Sequence, residues 1–252
     1  MRIAIGLLVL AACGGGGSTT PDARSPDAAR PDALPIDAAQ LDAPPFDAPA
    51  GFGALGGMCG VLHDLELTEA TPILITTTMT FATEYDDTTD RTMLTPGGQI
   101  MMATPNAGGS SGLSEAFSYE ELARCEGAAL LATETEVQYD DPNSKKTDLE
   151  VMMGTHKLGV SVTRAFAYPL GDPYTLDMAN TLIARKLTDI QASTAHAVDH
   201  WDKQILSVWA YDDQAADIVD QAWMGFDDAT KANTIVLVIV SGGADTFIYT
   251  NQ

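Results

Sequence analysis

Six of the ten lysines and arginines beyond residue 50 fall between positions 145 and 186: Lys145, Lys146, Lys157, Arg164, Arg185 and Lys186. Ammonium and guanidinium groups gathered in an otherwise acidic chain can receive an anion, such as a phosphate, a carboxylated sugar or an acidic partner. The same run also arises when turn and helix-surface charges serve only solubility. His196 and His200 stand four apart. On a helix that spacing sets two imidazoles side by side, as a zinc site needs. No Glu completes an HExxH frame, and the residues from Ser193 to Asp199 read as a helix end or loop. Ser110 and Ser111 do not match Gly-x-Ser-x-Gly, and Asp86, Asp87, Asp227 and Asp228 read as solvated loop acids. The sequence has no phosphate-binding loop, no GxGxxG and no CxxC. These motifs therefore imply no cofactor and no metal ligands.

The elements that must position these groups sit in a strongly acidic chain. Acids number 35 against 13 bases, a net charge of −22 over 252 residues. A field of that sign repels phosphate backbones, so sequence-independent nucleic-acid binding is disfavoured. At 45% apolar the chain can fill one core with residues left over.

Residues 21–50 carry Asp at 22, 27, 32, 37, 42 and 47, each followed by Ala and interspersed with prolines. A period of five fits neither helix nor strand, and so little apolar surface cannot offset chain entropy. With Gly14–Gly17 as a joint, the spacing predicts a disordered stalk over 13–57. Thirty residues in polyproline II reach about 90 Å. Gly51–Gly57 reads as a hinge, with order beginning near Met58 and one α/β domain over 58–252.

Within that domain Pro72–Phe81 is rich in β-formers, and Leu94–Gly112 is rich in turn residues. A helix is expected over roughly 114–132, opened by a capping box at Ser118–Glu121. Strands are expected at Glu136–Tyr139, at Asp148–Met153 and at Leu158–Ala165. In the second of these, Asp148, Glu150 and Met152 share a face. In the third, Leu158, Val160 and Val162 face one way and Gly159, Ser161, Thr163 and Ala165 the other. Thr175 caps a helix with face Leu176, Ala179, Leu182, Ile183, Leu187 and Ile190. A strand Ile205–Tyr211, a helix opening at Asp212 and the β-branched strand Thr234–Ser241 follow. Thr246–Tyr249 could add an edge strand. The order α-β-β-β-α-β-α-β implies a mixed sheet of about five to six strands flanked by helices.

That order resembles the PD-(D/E)XK, restriction-endonuclease-like fold. The resemblance implies a helix acid, here Glu121 or Glu126, and a strand Asp, here Asp148, holding Mg²⁺ that generates hydroxide. The family's Glu-x-Lys falls on Ser161-Val162-Thr163, two hydroxyls where a carboxylate and an ammonium are expected. Glu150 and Lys186 are the residues that could stand in for them. The degenerate pattern implies a non-catalytic module, whose anion would meet Lys157, Ser161, Thr163 and Arg164. The alternative is a metal-dependent phosphodiesterase with relocated residues.

Ile3–Ala12 is an apolar run of ten after Arg2, too short for the roughly 20 residues of a membrane span and fit for a signal-peptide core. Its end, Leu10-Ala11-Ala12-Cys13, resembles the lipobox of bacterial lipoproteins. The resemblance implies cleavage after residue 12, acylation of Cys13 and, with Gly14 rather than Asp next, placement at the outer membrane of the envelope. Several acyl chains anchor stably where one does not. Lipobox, stalk and one acidic domain together also resemble uncharacterised bacterial surface lipoproteins. Export would expose Cys59 and Cys125 to an oxidising compartment, which favours a disulfide between them. Mass spectrometry of the native protein should find a lipid-modified Cys13 at the N-terminus; an intact leader with an unmodified start would remove the envelope placement.

Overall fold

A computed structural model describes residues 50–105, 109 and 111–250. The leader 1–12, Cys13 and the Pro-Asp-Ala tract through residue 49 lie outside the described residues. The described chain runs β1 (Ala54–Gly57), α1 (Asp64–Thr68), β2 (Ile73–Phe81), α2 (Asp87–Asp90), a 3-10 turn, α3 (Pro96–Ala103) and α4 (Gly112–Cys125). It continues β3 (Ala129–Thr133), β4 (Leu149–Met153), β5 (His156–Ala165), α5 (Leu176–His196), β6 (Lys203–Ala210), α6 (Asp213–Gly225), α7 (Asp228–Lys231), β7 (Ile235–Gly243) and α8 (Thr246–Thr250). From α4 to β7 the element types follow the expected order with the turn α7 added, but β3 lies at Ala129–Thr133 inside the expected helix rather than at 136–139, and α8 follows β7.

Seven strands form one mixed sheet in the order β1-β2-β7-β6-β5-β4-β3. The four central strands are parallel, and the pairs at both edges are antiparallel. Continuous apolar runs explain the centre: β6 is buried at every position, and Ile235–Ile239 of β7 is fully covered. A strand covered on both faces needs helices on both. Phe117 and Leu122 of α4 pack with Met79, Phe81, Leu158, Val160 and Trp209 on one face. Ile183, Leu187 and Ile190 of α5 and Val219 and Trp223 of α6 cover Leu206, Val208, Val236 and Val238 on the other.

Several expectations are corrected, each for a local reason. The segment read as a hinge is in the sheet: Ala54–Gly57 pairs with Thr77–Thr80, and Phe52 is core. The folded part thus begins before residue 58, and the sheet has more strands than expected. The first helix stops at Cys125, not 132. Gly127 takes φ +70°, a left-handed position that favours glycine, and the chain leaves into β3 at Ala129. Glu136–Tyr139 is not a ladder strand; only Tyr139 bridges Ala197. Ser118 does not cap; it sits mid-helix, 2.8 Å from Ser207 Oγ, and accepts from Trp209 Nε1. The glycines at 97 and 98 do not turn. They let α3 cross α4, since a Cβ at either position would meet Tyr119 or Glu120. Thr246–Tyr249 is helical, not an edge strand.

Lys203, the one charge at the head of an apolar run, is buried and donates to the carbonyls of Glu66, Glu69 and Thr71 at 2.7–3.1 Å. It thereby ties α1 to β6. Cys59 and Cys125 are disulfide-bonded with Cα atoms 4.8 Å apart, closing a separation of 66 residues. Loop entropy of that length is worth roughly 4 kcal/mol. The Cys59→Ser, Cys125→Ser double variant should lose about that much in urea unfolding; an unchanged midpoint would show that the cross-link restrains nothing.

Candidate functional site

Strand β5 has ten residues but its neighbour β4 only five, pairing with His156–Val160. Beyond Val160 that edge of β5 has no strand beside it among the described residues. Two side chains take its place. The Val162 N–H donates to Asp148 Oδ2 (2.5 Å), and Lys186 Nζ, reaching from α5, donates to the Val162 carbonyl (2.7 Å). Unpaired backbone groups at a covered edge are costly, and these two charges satisfy them. Two residues that the nuclease resemblance points to are therefore brought together, on one peptide unit of β5.

Burial pushes the Asp148 carboxyl up. Lys186 opposes that rise, Glu115 adds to it and the Val162 N–H opposes it. Glu115, in the first turn of α4, is buried and also faces Arg164 electrostatically. Sequence reasoning passed over Glu115. Its signal was its place on the face shared with Ser118 and Leu122, three and seven residues on, which packs on the sheet.

The remaining residues go elsewhere. Glu121 is buried over β2, where both carboxyl oxygens lack a hydrogen bond of good geometry, as does the facing Thr77 hydroxyl. Strand β2 lies four strand spacings from β4, about 19 Å at 4.8 Å each. Burial, and secondarily the Glu126 charge, push the Glu121 carboxyl up to about 8, against the effect of Thr77. Glu126 caps the end of α4 differently: its carboxylate accepts from the backbone N–H groups of Gly60, Val61 and Leu62. Beside the disulfide, it holds the incoming chain. Glu150 is on the sheet face away from α4, with Lys157 Nζ 3.5 Å from Oε1, and Lys157 also pairs with Asp199.

The four residues considered for an anion do not converge. Lys157 and Arg164 lie seven residues apart along β5, about 23 Å at 3.3 Å per residue. Ser161 and Thr163 face the α5–α6 layer, as their alternation with Val160 and Val162 requires. Arg164 Nη1 donates to the carbonyls of Ile248 and Tyr249 on α8 (3.1 and 3.2 Å), and burial lowers its pKa. It also lines a cavity of about 540 Å³ beside the unpaired edge of β5, opposite Arg185 of α5. His196 is the last residue of α5, with Nδ1 2.9 Å from Asp140, and the chain turns extended at Ala197. His200 is thus off the helix, so the paired-imidazole face does not form. Among the described residues no three His, Cys, Asp or Glu side chains gather to hold a metal. The residues present do not fit a Mg²⁺ site of the nuclease kind.

Fold and site together define a mixed α/β protein with an unequal sheet edge sealed by an acid and a lysine. The chain is similar to the AAC-rich mRNA clone AAC4 protein of Dictyostelium discoideum, 40% identical over 152 residues, which is 58% of this chain. The chain spans 22% of the length of that curated relative. No protein-family model and no solved structure matches the chain. Among the described residues no helix is long and apolar enough to cross a membrane.

The buried Glu121 gives a pH dependence with a definite sign. Its carboxyl titrates near 4.5 when unfolded and near 8 when folded. Its contribution to stability is full below about pH 4.5 and declines as the pH rises to about 8, by at most about 1.4 kcal/mol per pH unit. Glu121→Gln keeps the shape without the proton. Urea midpoints measured from pH 5 to 8 should therefore fall less steeply in the variant than in the parent; equal slopes would mean that Glu121 carries no such proton.

Proposed function

We propose that this chain is a lipid-anchored cell-envelope protein whose α/β domain is a binding or interaction module with a degenerate nuclease-like fold. The placement rests on the Leu10-Ala11-Ala12-Cys13 motif and the Pro-Asp-Ala tract; an outer-membrane position accords with Gly14. The absence of a catalytic role is supported by one observation above the rest. Asp148 and Lys186, the pair best suited to hydrolysis, are both committed to the Val162 backbone. One oxygen of that acid and one N–H of that amine are taken up by the sheet edge, and burial favours the neutral carboxyl over a metal-binding carboxylate. Glu121 and Glu126, the helix acids, lie over β2 and at the incoming chain instead. The partner is an anionic ligand or a protein rather than nucleic acid, in keeping with the net charge of −22.

The competing reading is a metal-dependent phosphodiesterase with relocated residues. It draws on the proximity of Asp148 to Lys186 and Glu115. Purified protein mixed with Mg²⁺ or Mn²⁺ and labelled single- and double-stranded DNA distinguishes the two. No cleavage above background is expected, and Asp148→Ala should lower stability, by about 1–3 kcal/mol for the orphaned backbone donor. Metal-dependent cleavage that vanishes in Asp148→Ala would overturn the binding-module reading.

A further inference from the structure

The cleft at the open edge of β5 is lined from β5, from α5 and from the loop between them, and it opens to solvent. Its volume, about 540 Å³, suits a small molecule. Two guanidiniums reach it from different elements. Arg164 comes from β5 with Nη1 held by the α8 carbonyls, while its Nε and Nη2 make no hydrogen bond among the described residues. That leaves one edge of a planar fork whose position is fixed by the fold. Arg185 comes from α5, is exposed and has no ion-pair partner among the described residues. Between them the wall is apolar: Phe166, Met178, Leu182 and the ring of Tyr174.

Two further observations narrow the ligand. The Tyr174 hydroxyl is buried with no hydrogen-bond partner, and burial pushes its pKa up to about 12, so it keeps its proton and can donate. Asp177, on the same α5 stripe as Thr181 and Arg185, and the buried Glu115 facing Arg164 offset part of the charge of the two guanidiniums. What they leave suits one small anionic group rather than a polyanion. Arginine forks match carboxylates with two parallel bonds, and Phe166, Met178 and Leu182 suit a hydrocarbon body.

We propose that this cavity binds an amphipathic monocarboxylate, its head between Arg164 and Arg185 and its hydrocarbon body against Phe166, Met178 and Leu182. The proposal rests on the binding-module reading and gives that module its ligand class. Its test is independent of nuclease activity. Full-length protein with the disulfide oxidised is titrated calorimetrically with octanoate, octylammonium and inorganic phosphate.

Octanoate should bind saturably, octylammonium should not bind, and phosphate should bind at least about tenfold more weakly than octanoate. Arg185→Met should weaken octanoate about tenfold or more. Thr181→Phe, which fills the cavity from an exposed helix position, should abolish binding. Lys231→Met, which removes the same charge from α7, should leave it unchanged. Octanoate binding that is absent, insensitive to Arg185→Met, equally reduced by Lys231→Met or matched by octylammonium or phosphate would overturn the proposal. DNA cleavage in the earlier assay would leave these titrations untouched, so the two readings fail separately.

Discussion

A ten-residue strand beside a five-residue one leaves half an edge open, and the described structure around β5 is arranged to close it. The carboxylate of Asp148 accepts the Val162 N–H, and the ammonium of Lys186 covers its carbonyl. Side chains here do what a strand would do. The substitution has consequences beyond two hydrogen bonds. A backbone strand would bring no charge, whereas here the Lys186 ammonium comes within electrostatic reach of the buried Asp148 carboxyl and works against the rise that burial causes. It also leaves β5 bare past Val162, so that Arg164 can turn to the α8 carbonyls and to the cavity at once. The edge is thus fastened by side chains at Val162 and open just beyond it.

Helix α4 carries the complementary constraint. Glu115, Glu120, Glu121 and Arg124 are all buried on it, in a protein that otherwise has acid to spare. Each is turned inward for a different purpose. Glu120 accepts from Thr95 and orders the start of α3, while Arg124 donates to the carbonyls of Phe52 and Gly53. Glu126, just past the helix, gathers three backbone donors next to Cys125. The helix therefore fastens the first strand, the incoming loop and α3 to the sheet. Glu121 is the exception: it makes no comparable bond and is accommodated by keeping its proton.

The parts of this fold that were legible from sequence are those in which periodicity and composition agree. The β-branched run of β7, the stripe of α5 from Ala179 to Ile190 and the caps at Thr175 and Asp212 all announce themselves. Illegible were segments whose local signal has two meanings. Glycine at 97 and 98 permits a tight turn or a close helix crossing, and only the position of Tyr119 and Glu120 decides between them. Small residues at 54–57 read as a hinge until β2 offers them a partner. The site shows the same division. Alternation along β5 separates Ser161 and Thr163 from Val162 and Arg164 without any structure. What it cannot reveal is that β4 ends early, and that shortfall is what draws Asp148 and Lys186 to one peptide. Strand length relative to a neighbour is a property of the pair, absent from either sequence segment alone.

Charge then decides what kind of ligand such an edge can admit. The chain's excess of acids sets up a repulsion that acts on every negative charge approaching it. A polyanion meets that repulsion once per phosphate, while the two arginines of the cavity can compensate only locally. A molecule with one carboxylate meets it once, and at physiological salt the field is screened beyond about 8 Å. Within that distance the half-buried guanidinium of Arg164, anchored on one side by the α8 carbonyls, is screened less than a surface charge, though Glu115 faces it. An acidic surface around a small basic, apolar-walled cleft is therefore no contradiction for the proposed ligand: long-range repulsion grows with the number of charges a ligand carries, and a single-headed anion carries one.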